Sequence, residues 1–231
     1  MRLVLAAIAA STLAGPALAQ TCAIPRDIRA PVASPPLARE IVRDAPTASY
    51  MLALTWSPQY CAGRQDARSA QVQCRDNRFG FVLHGLWPNG AGSRHPRYCA
   101  PAQALQVSTV RKHLCMTPSA DLLQHEWAAH GVCGWRTPEA YFQQAAELWG
   151  GLRKPSLSFA NGRATTAGEI RRAFVAANPQ LRRDGLYVKV AKGGWLEDVR
   201  VCYDLRFRPT ACRGGLGAPD RATVKVRSAR L

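Results

Sequence analysis

Eight cysteines, Cys22, Cys61, Cys74, Cys99, Cys115, Cys133, Cys202 and Cys212, are strung over most of the chain. No two form a C-x-x-C pair, and the spacings do not resemble a zinc ribbon. An even number spread this way in an exported protein reads as a disulfide framework of up to four bridges. Eight cysteines allow about 105 pairings, and spacing alone does not choose among them. Export is indicated by the N-terminus. Met1-Arg2 gives a short positive start, Leu3 to Ala14 is apolar and Ala-rich, and Ala17-Leu18-Ala19 has the small-x-small form of a cleavage site. This predicts a signal peptide over residues 1–19, with the mature chain opening at Gln20. The apolar run is short and broken by Gly15 and Pro16, and no second stretch approaches transmembrane length. The expectation is a periplasmic or secreted protein with no membrane association.

Removing 19 residues from 231 leaves 212, enough for one domain over 20–231 with a substantial core. Disulfides then reinforce hydrophobic burial rather than replace it. Residues 20–47 are rich in Pro, Ala and Arg and read as an irregular lead-in. Tyr50 to Trp56 is an apolar strand stopped by Ser57-Pro58. Residues 62–78 read as a polar loop between Cys61 and Cys74. Phe79 to Leu83 is a second strand with His84 at its end, and Gly85 and Pro88 are expected to break regular structure before an Asn89-Gly90 turn. Asp121 to Ala129 reads as a helix ending near Gly131. Thr137-Pro138-Glu139 opens another, with Thr as cap and Pro at the first position; its stripe of Tyr141, Phe142, Ala145, Leu148 and Trp149 reads as core. Thr166 and Glu169 form a capping box for a helix to about Ala177. Leu186 to Val190 and Leu196 to Phe207, joined through Gly193-Gly194, look like a hairpin. Strands and helices mix without a βαβ rhythm. The fold class expected is α+β, a central, largely antiparallel sheet with flanking helices.

Of five histidines in the chain, three lie in two short segments, Phe81-Val82-Leu83-His84-Gly85-Leu86-Trp87-Pro88 and His125-Glu126-Trp127-Ala128-Ala129-His130-Gly131-Val132-Cys133. Imidazole titrates near neutrality, so two of them with a carboxylate suit proton transfer on both sides of one reaction. On a helix, Glu126 and His130 are four apart and share a face, whereas His125 and His130, five apart, diverge by about 140°. His95 and His113 read as ordinary surface or core residues, and Trp56 and Trp127 as structural. Zinc hydrolysis fits poorly. The zincin pattern is H-E-x-x-H, and here the second histidine comes one residue later, with no further ligand set evident. Metal-free RNA cleavage fits better. RNA carries its own nucleophile, the 2′-hydroxyl, and needs one neutral imidazole, one imidazolium and a further donor to the phosphorane. The formal charge of +16, or +15 without Arg2, favours a polyanionic partner.

His84-Gly85-Leu86-Trp87-Pro88, together with His125-Glu126-Trp127, His130-Gly131 and Cys133, resembles the two active-site signatures of the ribonuclease T2 family, in order and at a compatible separation. The likeness covers most of residues 48–212. It implies an α+β endoribonuclease, secreted, periplasmic or vacuolar, that needs no metal or other cofactor. It implies that His84 and His130 are the acid/base pair, without fixing which is which. It further implies that Glu126 assists catalysis, that His125 holds the phosphate, and that Trp87 stacks on a base. Asn89 stands where many members carry an acidic residue that helps to read the base. The resemblance also implies bridges Cys99–Cys133 and Cys202–Cys212; for the remaining four cysteines the favoured arrangement is Cys61–Cys74 with Cys22–Cys115. One departure matters chemically: members usually have Lys before the last histidine, and here it is Ala129. The cation is then either missing, in which case a lysine restored at 129 is expected to raise turnover, or supplied elsewhere by an arginine such as Arg64 or Arg94, in which case that lysine should matter little; the gain is the expectation. The reading is a monomeric endoribonuclease of weak base specificity that leaves 2′,3′-cyclic phosphate ends and has RNA but no obligate protein as partner. The rival is an exported RNA-binding or toxin-like protein without turnover.

Overall fold

The computed structural model describes residues 22–160 and 163–229. The expected signal peptide lies outside them. Six strands form one open sheet: β1 (Ser49–Trp56), β2 (Phe81–Asn89), β3 (Ala164–Thr166), β4 (Leu186–Ala191), β5 (Trp195–Tyr203) and β6 (Thr223–Lys225). The order is β2-β1-β5-β6-β3, with β4 also paired to β5. Every pairing is antiparallel except the single contact of β5 with β6 at Trp195 and Lys225. The helices are α1 (Ser57–Tyr60), α2 (Gln71–Cys74), α3 (Val107–His113), α4 (Ala120–Ala129), α5 (Pro138–Gly150) and α6 (Ala167–Ala177). The class is α+β, reinforced by bridges Cys22–Cys115, Cys61–Cys74, Cys99–Cys133 and Cys202–Cys212. Among the described residues no helix is long and apolar enough to cross a membrane.

Strand alternation sorts the sheet into two faces. Leu52, Leu54 and Trp56 of β1, Val199 and Val201 of β5, and Leu186 and Val188 of β4 are buried with Phe142 and Ala145 of α5 and Ile170 and Phe174 of α6 in one continuous core. The opposite side carries Thr55, opposed by Asp198, and Arg200, opposed by Tyr187. Helix starts follow local chemistry. Ser119 accepts from Leu122 N–H at 3.2 Å, and Thr137 accepts from Ala140 N–H at 3.2 Å. Thr166 and Glu169 close a reciprocal capping box. Such caps are worth about 1 kcal/mol each. At the β4–β5 turn, Gly193 and Gly194 both have positive φ, +83° and +82°, which side-chain-bearing residues adopt only at a cost.

Several local expectations are corrected. β2 does not stop at Leu83 but runs to Asn89, so His84 lies inside a strand; Gly85 pairs with Ala53 and Pro88 with Tyr50. β2 is an edge strand, where a proline costs no internal ladder. Its free edge is covered by Met116 O, which accepts from Leu83 N–H at 2.8 Å, and by Tyr141 Oη, which accepts from Leu86 N–H at 3.2 Å. The stretch 62–78 is not all loop. It contains a 3₁₀ turn at Arg68–Ala70 and then α2, pieces too short to show an apolar period. α4 ends at Ala129, and His130, at φ −124° and ψ −45°, is its C-cap; its N–H still bonds to Glu126 O at 3.0 Å, and the Glu126 and His130 side chains lie together as expected. β5 ends at Tyr203 rather than Phe207.

Candidate active site

The β1–β2 register pairs Ala53 with Gly85 and Leu54 with Leu83, which leaves His84 as the unpaired residue of a β-bulge. A bulge bends its strand and re-aims a side chain, and here it turns an imidazole toward the polar side of the sheet. His84 Nδ1 lies 3.3 Å from Thr55 Oγ1. Thr55 donates its own proton to Oδ1 of the buried Asp198 at 2.9 Å. The threonine oxygen therefore faces His84 as an acceptor, and Nδ1 carries the proton that it accepts. Arg200 Nη2 donates to the other Asp198 oxygen at 3.1 Å. On its far side His84 Nε2 stands 3.4 Å from Glu126 Oε1, an ion-pair distance without the alignment of a hydrogen bond.

Glu126 projects from α4 and is buried, and its Oε2 accepts from Trp87 Nε1–H at 2.8 Å. The carboxylate reaches that point only because residue 85 is glycine: a Cβ there would stand 1.8 Å from Oε2. The Trp87 ring is 5.2 Å from His84 and 5.6 Å from His130, and the Arg200 guanidinium lies 4.7 Å over it. His125 and His130 are 6.4 Å apart, ring centre to ring centre. Arg97 Nη2 is 3.5 Å from His125 Nε2. The structure thus brings His84, Trp87, His125, Glu126 and His130 into one cluster. Asn89 lies at the end of β2, in the same pleat phase as Trp87, and its carbonyl accepts from Ala48 N–H at 2.7 Å. His95 and His113 are elsewhere: the first accepts from Gly90 N–H, and the second stacks on Phe142.

The histidines are driven in opposite directions. Burial pushes His84 toward the neutral form, but the Glu126 contact, the Glu126 charge and the Asp198 charge push it up, against Arg200, and its pKa is raised above 6.5. Burial dominates at His130; Glu126 opposes it, Arg97, His125 and His84 add to it, and the pKa falls to about 4. His125 is lowered, first by burial and then by Arg97 and His84, against Glu126 and Glu40. Burial raises Glu126, but the His84 contact and the three imidazoles outweigh it and hold the carboxyl ionised. The surroundings thus favour the charged form at His84 and the neutral form at His125 and His130.

The expected cation sources are corrected. Arg64 bonds to Tyr60 O and lies over the Tyr60 ring, and Arg94 is paired with Asp44 at the surface. Ala129 is completely buried and its carbonyl accepts from Tyr98 N–H at 2.9 Å, so a lysine there has no room. The cations at the site are Arg97 and Arg200, which sequence reasoning missed along with Thr55 and Asp198. Signals for them existed. Arg97 is two residues before Cys99, whose bridge to Cys133 brings it to the end of α4. Asp198 and Arg200 are two apart on a strand and so share its face. Among the described residues, the buried side-chain nitrogens and oxygens without a partner are Arg97 Nε, Glu126 Oε1, His130 Nδ1 and Arg200 Nε, all in this cluster. Unsatisfied buried groups are rare in folded proteins, and their concentration marks a site built for a ligand. A separate cavity of about 650 Å³, bounded by Phe79, Trp195 and Arg227, contains none of the histidines.

One atom each from His125, Glu126 and His130 lie within 4.8 Å of one another, close enough to approach a metal ion. The surroundings do not suit one. Glu126 Oε2 is already bonded by Trp87, and the Arg97 guanidinium sits on His125 Nε2, putting a fixed positive charge beside that nitrogen. The arrangement is built to receive an anion between two arginines and three imidazoles.

Comparison with known proteins agrees with this chemistry. The ribonuclease T2 family profile matches residues 47–159, which include both histidine segments. A probable ribonuclease of Haemophilus influenzae is 34% identical over 181 residues, covering 73% of this chain and 62% of that protein. A ribonuclease of Aeromonas hydrophila is 35% identical over 99 residues, 43% of each chain. The chain thus spans less than two thirds of the length of these relatives. In fold, an RNase-related protein from Calystegia sepium superposes with a TM-score of 0.63 at 21% identity, over 78% of this chain and 96% of its own. The matched segment, the relatives and the shared α+β architecture lead to one conclusion: residues 47–159 of the chain carry a ribonuclease T2 family match.

Proposed function

We propose that this protein is an exported, metal-independent endoribonuclease that cleaves single-stranded RNA by transesterification, with weak base specificity. The observation that carries the reading is the opposite charge preference of His84 and His130 on either side of Glu126. Neutral His130 takes the proton from the 2′-hydroxyl as its oxygen attacks phosphorus. His84, protonated and held by Thr55 and Glu126, donates a proton to the departing 5′-oxygen as the P–O5′ bond breaks. The products are a 2′,3′-cyclic phosphate and a free 5′-hydroxyl. Glu126 keeps His84 charged, and His125 contacts the phosphate. Trp87 positions Glu126, and a base that stacks on its ring shares it with Arg200. Asn89, beyond Trp87 on the same strand, is the proposed base-reading contact. The protein acts on RNA as a monomer without an obligate partner, in the periplasm or outside the cell, as one domain over 20–231 after removal of residues 1–19. The rival RNA-binding reading rests on Ala129 alone, and the acid–base pair is complete without that position.

The test is cleavage of a defined single-stranded RNA by purified protein in excess EDTA. Products ending in 2′,3′-cyclic phosphate, with DNA of the same sequence left intact, are expected. Products with 5′-phosphates, or activity abolished by chelation, would overturn the proposal; binding without cleavage would favour the rival.

A further inference from the structure

Two cations have fields that reach the histidine cluster, and they are placed differently. Arg200 is already neutralised by the buried Asp198. Arg97 forms no salt bridge with a carboxylate among the described residues, its Nε is buried without a partner, and its Nη2 meets only the neutral His125 ring. Glu40, whose charge reaches His125, turns its Oε2 back to accept Leu37 N–H at 3.1 Å. The backbone around Arg97 is fixed. Arg97 and Val42 exchange two hydrogen bonds of 2.9 Å, and the next residue, Tyr98, bonds to Ala129 O at 2.9 Å. The Cys99–Cys133 bridge follows immediately. Arg97 as a whole is half-buried and its guanidinium lies 5.1 Å over the Tyr98 ring, but an enclosed, unpartnered Nε on a guanidinium held in one place is costly unless an anion arrives to meet it.

We infer that Arg97 is a catalytic residue: its guanidinium contacts the scissile phosphate from the His125–His130 side and stabilises the phosphorane. This rests on the ribonuclease reading above and adds the residue that carries the charge. When the 2′-oxygen bonds to phosphorus and its proton passes to His130, the phosphate goes from one negative charge to two. When the P–O5′ bond breaks and His84 protonates the leaving oxygen, the charge returns to one. A fixed guanidinium at that point interacts more strongly with the pentacoordinate species than with the ground state, which lowers the barrier. Its planar fork also offers two parallel donors to two phosphate oxygens. Ala129 leaves the end of α4 without a cation, and Arg97, tethered to that helix end through Tyr98, supplies one from another segment.

The experiment compares Arg97→Ala, Arg97→Gln and Arg97→Lys with Arg94→Ala, a surface control, using a dinucleotide substrate at saturation across pH, with thermal melts to establish folding. Arg97→Ala and Arg97→Gln are expected to lose about 10²-fold in kcat, the usual effect of removing one preorganised donor to a transition state. Arg97→Lys is expected to recover part of that loss. The acid limb of the profile moves to higher pH in the neutral variants, because a charge that holds His130 down is gone while Glu126, His125 and His84 still face it. The three variants should also bind a 3′-nucleotide more weakly than Arg94→Ala does. A folded Arg97→Ala or Arg97→Gln protein within about threefold of the parent in kcat, with an unmoved acid limb, would overturn the role of Arg97 while leaving the ribonuclease reading intact. A parent protein that cleaves no RNA in the same assay would overturn both.

Discussion

At the scale of single residues, the division of labour proposed for His84 and His130 comes from what stands behind each. His130 has a buried Nδ1 with no partner, so the ring has nothing to share a second proton with. His84 has the Thr55 hydroxyl, backed by Asp198, as acceptor at Nδ1, and the Glu126 carboxylate at ion-pair distance from Nε2. The kcat/KM profile should therefore be bell-shaped. A general base must be neutral, so activity falls as pH drops through the His130 value, about 4 in the free protein. A general acid must be protonated, so activity falls again as pH rises through the His84 value, which lies above 6.5. Asp198→Asn separates charge from geometry, since an amide oxygen can still accept from Thr55. Losing the charge should lower the His84 pKa and move the alkaline limb to lower pH, with the acid limb in place. A variant whose alkaline limb stays where the parent has it would show that Asp198 only supports packing. The histidines and Glu126 were legible from the sequence because they sit in compact motifs. Asp198 and Arg97 were harder to pick out, because each reaches the site across the fold and their marks, strand alternation and the Cys99 bridge, are indirect in a chain with 31 Lys and Arg.

At the scale of elements, the site depends on an irregular strand meeting a helix end. The hairpin β4–β5, the strand β1 and the capped starts of α5 and α6 could be read from alternation and from cap residues, which act locally. The bulge in β2 could not, because it exists only in the register with β1, and Gly85 and Pro88 suggested a break where the strand in fact continues. Gly85 is needed for close approach: a methyl group there would stand 2.6 Å from Glu126 Cδ and 2.9 Å from Trp87 Nε1. Gly85→Ala should therefore displace Glu126 and reduce kcat by about 10²-fold, the scale of a misplacement of about 1 Å at a reacting centre. Far-ultraviolet circular dichroism would confirm that the sheet persists, and parent-like kcat in the folded variant would refute the close contact. The end of α4 makes the opposite point about Ala129. The sequence alone suggests a gain from Ala129→Lys, but the position has no exposed surface. The longer side chain should overpack the helix end, costing about 1–3 kcal/mol. A lower Tm without a rise in kcat is expected, and higher kcat at unchanged Tm would show that the lysine finds a route to the phosphate after all.

At the scale of the whole molecule, charge and covalent framework serve different ends. The four bridges fix segments that the sheet does not hold: Cys22–Cys115 ties the irregular lead-in to the region after α3, and Cys99–Cys133 ties the Arg97 segment to the end of α4. The net charge of +16 does not help the chain to fold, because like charges repel in the compact state. Several arginines are neutralised locally, Arg94 by Asp44, Arg182 by Asp184 and Arg208 by Asp204, yet the excess remains large. That excess should act on a polymer before chemistry begins, by exchanging condensed counterions for protein contacts along the strand. The logarithm of kcat/KM for a long single-stranded RNA should fall linearly with the logarithm of salt concentration, by about 0.7 for each phosphate contacted. A dinucleotide reaches only the cluster itself, so its slope should be much shallower, and kcat should change little for either substrate. The comparison separates gathering of substrate from its conversion. Equal slopes for polymer and dinucleotide would place all the relevant charge at Arg97 and its neighbours, and a flat response for both would mean that the basic surface serves a partner other than RNA.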